Sequence, residues 1–216
     1  MSGPTVAIVA NPHSGRDVRR IAARAAAVPP EQKRDVVARI AAGLDAAGVG
    51  RILVLDEPFR IATGALERMP LRATVEPVGQ VRTHDARDGI AAVRRMRELG
   101  CDVFVVLGGD GTSRAVAAGV PDGTLVPLAT GTNNVFPQQV EATAAGLAAG
   151  LAARGLVTGA ACRRCKRVEV REGGRLVDFA LVDAVLLRRD VIGNRMPFDP
   201  ARLATVVLTR AEPFGA

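Results

Sequence analysis

Apolar residues along the chain fall into two patterns: short unbroken runs, and longer stretches where they recur every three or four positions. The runs at 6–10, 51–55, 102–106 and 125–129 have the length and β-branched content of buried strands, and the more mixed stretch 73–78 also reads as a strand. Helical periodicity fills the intervals. A helix is expected over 16–27, with Asp17 favourable in its first turn and Pro29-Pro30 as its stop; a second, over 31–47, ends at Gly48. Another is expected over 59–68. The best-marked one spans 85–99, with Asp85 at its start, Ile90, Val93 and Met96 on one stripe and Gly100 as terminator. A short helix should follow the 102–106 run, and a last one should cover 138–153. Strands alternating with helices imply an α/β fold, a Rossmann-like open parallel sheet with ligand sites at the carboxyl ends of its strands.

From about residue 160 the pattern changes. Residues 167–171, Gly173-Gly174 and 176–180 read as a hairpin, 184–188 and 205–210 as further strands, and 200–204 as one helical turn. Two domains are therefore expected: an α/β nucleotide-binding domain over 1–155 and a β-rich one over 160–216. A few strands alone make a poor independent core, so the second domain reads as incomplete and the chain as cut short.

Three turns stand out because each directly follows an expected strand. They are Asn11-Pro12-His13-Ser14-Gly15, Leu107-Gly108-Gly109-Asp110-Gly111-Thr112 and Thr130-Gly131-Thr132-Asn133-Asn134. In a parallel sheet one rim would hold all three. Glycines let backbone N–H groups approach an anion, and the helix that follows presents its positive N-terminus. A carboxylate inside such a turn is unfavourable next to phosphates, which points to a chemical task for Asp110: accepting a proton from a hydroxyl that attacks a phosphoryl group. Plainer readings stay open. Thr112 can serve as a helix N-cap, Asn11-Pro12 as a turn with Gly15 at positive φ, and Thr132, Asn133 or Asn134 as caps.

At 216 residues and 48% apolar content the chain can bury a core. No apolar run reaches bilayer length, the Ala/Gly-rich stretch at 142–153 included, and nothing at residues 1–9 has signal-peptide form, so a cytoplasmic location without membrane attachment is expected. The net charge of +7 tempts a nucleic-acid reading, but the 27 Arg and 2 Lys are scattered, and there is no Trp or Tyr to stack bases. No nucleic-acid partner is expected. Cys162-Arg163-Arg164-Cys165 has knuckle spacing without a second ligand pair, so reduced thiols are favoured over zinc. His13 and His84 have no catalytic companions in sequence.

Together the three turns resemble those of the superfamily of NAD kinases and diacylglycerol/sphingosine-type lipid kinases. The finer resemblance is to ATP-NAD kinase-like proteins of the acetoin catabolism protein X group. It is carried by residues 11–20, 131–137, Cys165-Lys166-Arg167, Ala180-Leu181-Val182-Asp183 and Leu208-Thr209-Arg210-Ala211-Glu212-Pro213, and covers essentially the whole chain. The resemblance implies an ATP-dependent NAD kinase-like phosphotransferase linked to acetoin catabolism. By it, Asp110 activates the ribose 2′-OH of NAD, and Gly108, Gly109, Gly111 and Thr112 hold phosphates. Asn11, Ser14 and Gly15 form the first nucleotide turn, with Gly131, Thr132, Asn133 and Asn134 as polar contacts at another strand end. Mg²⁺ arrives on ATP rather than on a metal site of the protein, and the full-length form is a homo-oligomer. Where NAD kinases carry an Asn-Glu pair this chain has Val182-Asp183: Asp183 keeps an acidic group, while Val182 cannot hydrogen-bond through its side chain. Two alternatives stand beside this one: a lipid kinase, to whose turns 11–15 and 131–133 are closer, and a catalytically inactive nucleotide-binding fragment.

Overall fold

The five apolar runs of the first 130 residues pair into one parallel sheet in the computed structural model, which describes residues 3–15, 28–79, 83, 85–157, 159, 161–188 and 200–209. The strands are β1 (Thr5–Ala10), β2 (Arg51–Leu55), β3 (Thr74–Val78), β4 (Val103–Gly108) and β5 (Thr124–Ala129), in the order β3-β2-β1-β4-β5. Ile8 of β1 lies opposite Val54 on one side and Val105 on the other. Pro77 and Pro127, which have no N–H to donate to a ladder, occur in β3 and β5, the two edge strands.

Strand alternation divides the core in two. Val6, Ile8 and Ala10 turn to the layer formed by α1 (Pro30–Ala46), α2 (Ile61–Leu66) and α5 (Ala142–Ala153), meeting Val37, Ile40, Leu44, Ile61 and Ala145. Ala7 and Val9 turn to the opposite layer, α3 (Ala86–Glu98) and α4 (Asp110–Gly119), against Val93, Met96 and Val116. The Ala/Gly-rich 142–153 stretch is thus a helix whose small residues let it lie tightly on α1. Among the described residues no helix is long and apolar enough to cross a membrane.

Two helices are shorter than their periodicity predicts, each for a visible reason. The buried Glu57 carboxylate accepts from the N–H of Phe59 at 2.7 Å and from that of Ile61, so 57–60 is a capping loop and α2 begins only at Ile61. Gln138 bridges to β5, donating its N–H to the Pro127 carbonyl and accepting from Ala129 N, both at 2.9 Å; Glu141 then caps α5 through Ala144 N. The helix expected over 16–27 lies outside the described residues, as do His84 and residues 210–216.

The chain divides into two units, Met1–Arg163 and Arg164–Ala216. In the second, β6 (Val168–Glu172) and β7 (Arg175–Ala180) form an antiparallel hairpin through Gly173-Gly174, both at positive φ. A 3-10 turn (Pro200–Arg202) leads into β9 (Leu203–Leu208), which pairs antiparallel with β8 (Asp183–Leu187).

Candidate functional site

The strand order reverses between β1 and β4: the chain leaves β1 toward β2 and β3, and leaves β4 toward β5 on the other side. Diverging connections open a crevice at the carboxyl ends of those two strands, the usual ligand position in an open α/β sheet. The Asn11–Gly15 segment follows β1, the Gly108–Thr112 segment ends β4 and enters α4, and the Thr130–Asn134 segment follows β5. All three lie on one rim.

Hydrogen bonds tie them together. Asn11 donates from Nδ2 to Thr112 Oγ1 at 2.9 Å, and its backbone N–H bonds the Leu107 carbonyl. Ser14 Oγ donates to the Asn11 carbonyl at 3.0 Å and lies 3.4 Å from Thr130 Oγ1. Thr130 N donates to the Gly108 carbonyl, and Asp110 N to the Asn133 carbonyl at 3.0 Å. Asn134 closes its own turn, exchanging side-chain bonds with both backbone groups of Gly131. Asn11, Ser14, Thr112, Asp110 and Asn133 thereby link the three turns, while Gly131 and Asn134 hold the third turn internally.

The turn readings gain detail. Asn11 does make an Asx turn, its Oδ1 accepting from His13 N at 2.9 Å, and Gly15 has φ 74°. Thr112 is not the cap of α4: Gly109 holds that position, Thr112 sits inside the first turn, and its hydroxyl faces Asn11. Nor do Thr132, Asn133 and Asn134 cap α5, a task performed by Glu141. The glycines divide by what a side chain there would strike. A Cβ on Gly108 would strike Thr112 of its own turn, on Gly109 the Asn133 carbonyl, and on Gly131 the Gly109 backbone, so Gly109 and Gly131 let the second and third turns close on one another. Gly111 is exposed, with nothing within 4 Å of where its Cβ would stand. A ligand can approach the backbone there.

Asp110 opens α4, where a carboxylate is favoured by the helix dipole. Its Oδ1 accepts from Val135 N at 3.0 Å and Phe136 N at 2.8 Å; Oδ2 takes a longer bond from Val135 N at 3.3 Å. The side chain therefore holds the third turn to the second. A carboxylate has about four acceptor positions, so Oδ2 retains capacity for a substrate hydroxyl.

Sequence reasoning missed Lys33. It is 1% exposed, and its ammonium donates to the carbonyls of Asn11 (2.9 Å), Pro12 (2.8 Å) and Ser14 (2.8 Å). The available signal was its position four residues before Val37, on the apolar stripe that continues through Ile40, Ala41 and Leu44. Thr130 was likewise passed over. Beside the first turn the His13 ring meets Phe59 edge-on, with centroids 5.4 Å apart.

Asp183 belongs to the second unit, where it opens β8 opposite Leu208. Cys162 and Cys165 are exposed and outside any disulfide, whereas Cys101 is buried and its pKa is pushed up to about 11 by burial. Among the described residues no group of three or more His, Cys, Asp or Glu side chains could hold a metal ion.

Residues 6–155 match the family model for the ATP-NAD kinase N-terminal domain, and residues 166–215 match the acetoin catabolism protein X C-terminal domain. Acetoin catabolism protein X of Cupriavidus necator is 34% identical over 222 aligned positions, covering 97% of this chain. The chain spans 62% of that relative's length. Solved structures overlap only loosely. A protein of the TrmH RNA methyltransferase family from Porphyromonas gingivalis aligns at 13% identity and TM-score 0.33, covering 71% of this chain and 59% of its own. An extracellular ligand-binding receptor from Verminephrobacter eiseniae aligns at 15% and 0.33, covering 58% and 44%. Neither overlap bears on function.

Proposed function

Because the chain belongs to the ATP-NAD kinase family, we propose that it serves ATP-dependent phosphorylation of NAD, in the context of acetoin catabolism. The observation that carries this reading is the convergence of three strand-end turns on one rim, with Gly111 open to a ligand and Asp110 beside it. The polyphosphate of ATP lies against the Asn11–Gly15 and Gly108–Thr112 segments. The 2′-oxygen of the NAD adenosine ribose bonds to the γ-phosphorus, the bond from that phosphorus to the β–γ bridging oxygen breaks, and ADP leaves. Asp110 accepts the hydroxyl proton through Oδ2 while Oδ1 stays bound to the Val135 and Phe136 N–H groups, so the base is held without being consumed. A divalent ion enters on the nucleotide, and the protein's part is to position the phosphates. Gly131, Thr132, Asn133 and Asn134 shape the same rim, and the role of Asp183 as an acidic contact for NAD rests on the resemblance alone.

A second reading, nucleotide binding without transfer, draws on two features: the Asp110 carboxylate already braces a loop, and Val182 replaces a polar group. Incubation with γ-labelled ATP and NAD, diacylglycerol or sphingosine decides. Labelled NADP is the expected product. Labelled lipid without labelled NADP would make the protein a lipid kinase, and ATP binding with no labelled product would leave the second reading.

A further inference from the structure

Lys33 is among the largest fully buried side chains in the molecule's described part, and it is charged. Burying an ammonium is unfavourable by several kcal/mol unless its donors are satisfied, and here all three donors find carbonyls of a single turn. A neutral side chain would fill the same volume in the apolar face of α1 without that penalty. What the ammonium supplies in return is a donor for three turn carbonyls and a positive charge beneath them. The turn it grips is the one after β1, at the reversal point of the sheet.

The peptide plane supplies the link. A trans peptide points its carbonyl and its N–H in opposite directions. With the Ser14 carbonyl aimed at Lys33 Nζ, the Gly15 N–H of the same peptide is aimed away from it. An ammonium bonded to a carbonyl also polarises that peptide and strengthens its N–H as a donor. The Asn11 carbonyl, bound by both Lys33 and Ser14, fixes the residue whose side chain reaches Thr112 in the glycine turn. Lys33 therefore acts on the rim in two ways, through a fixed positive charge beneath the turn and through the orientation of the groups above it.

We infer that Lys33 is a positioning residue for polyphosphate: buried under the Asn11–Ser14 carbonyls, it makes this rim selective for the triphosphate of a nucleotide without touching it. The inference rests on the nucleotide-binding part of the proposed function and not on phosphoryl transfer.

Calorimetric titration of inorganic tripolyphosphate, ATP and adenosine into wild type, Lys33→Met, Lys33→Arg and Arg34→Met tests it, with circular dichroism confirming the fold of each. Lys33→Met should weaken tripolyphosphate and ATP roughly tenfold or more, the scale of one unscreened charge several ångströms away, and leave adenosine within about twofold. Arg34→Met removes a half-exposed charge at the next position, whose guanidinium bonds the Phe59 and Arg60 carbonyls rather than the Asn11–Ser14 turn, and should leave tripolyphosphate unchanged because solvent and salt screen it. Equal losses for adenosine and tripolyphosphate in Lys33→Met would reduce Lys33 to a structural clamp and overturn the inference. So would unchanged tripolyphosphate affinity. If Lys33→Met does not fold, Lys33→Arg decides: retained tripolyphosphate binding supports the role of the charge, and its loss overturns it. A wild type that binds neither ATP nor tripolyphosphate would overturn this inference together with the proposed function. A wild type that binds both but phosphorylates no acceptor would remove the transfer reaction and leave the role of Lys33 standing.

Discussion

Replacing Asp110 by asparagine separates the two tasks that one carboxylate performs on this rim. The side chain accepts from Val135 N and Phe136 N at 3.0 and 2.8 Å through Oδ1. An asparagine of the same shape keeps a carbonyl oxygen for those bonds, so the third turn should stay in place. What is lost structurally is charge assistance: bonds to a charged group contribute about 1.5–3 kcal/mol and neutral ones about 0.5–1.5, a difference of about 1 kcal/mol. The chemical loss should be larger. A positioned base contributes about 10²–10⁴-fold in rate, or roughly 3–5 kcal/mol of transition-state stabilisation. Asp110→Asn should therefore keep ATP affinity within about fivefold, on the scale of that structural difference, while kcat with NAD falls by about 10²–10⁴. Steady-state assays of NADP formation, paired with ATP titration and thermal unfolding of the same protein, measure each part. Near-wild-type turnover in Asp110→Asn would make the carboxylate a loop brace alone. A loss of rate matched by an equal loss of ATP affinity would also refute the reasoning, because the site would then have been lost as a whole.

Two further substitutions probe packing and burial. Gly131→Ala places a methyl group against the backbone of Gly109, and overpacking of this kind should destabilise by about 1–3 kcal/mol and weaken ATP binding by displacing the glycine turn; a denaturant melt and an ATP titration both at wild-type values would show that the two loops can part freely. Cys101 is buried with its pKa raised from 9.0 to about 11 by burial, against the opposing hydrogen bonds to Val103 and Ala7, whereas Cys162 and Cys165 are exposed. A thiol reagent should thus label two cysteines quickly in the native protein and the third only on unfolding. Because the folded state holds the Cys101 proton more tightly than the unfolded one, stability should fall as pH rises from about 9 toward 11. Cys101→Ala should lessen that alkaline decline, and an identical decline in the variant would assign it to other groups.

The five-stranded sheet was legible in the chain because buried parallel strands write themselves as unbroken apolar runs, and Val6–Ala10 and Val103–Leu107 could be little else. The three turns were legible too, since glycine, asparagine and proline at strand ends have few other uses, and their order and spacing carried the family. Helix ends were less so. Glu57 and Gln138 shorten α2 and α5 through bonds to backbone groups that periodicity does not register. The division of labour among the rim glycines was settled only in three dimensions: Gly109 and Gly131 are small because two loops far apart in sequence pass against each other, while Gly111 faces open space. Asp110 drew notice as a negative charge among glycines, but its grip on Val135 and Phe136 spans 25 and 26 residues and appears only when β5 lies beside β4. Lys33 was the least legible. A lysine on a helix reads as a solvated cation, and only the packing of α1 over the turn after β1 leaves it 1% exposed with three carbonyls to hold. Local composition determines where strands and turns fall, because those choices depend on neighbours along the chain; what each polar group binds depends on neighbours across it, and those exist only once the sheet has formed.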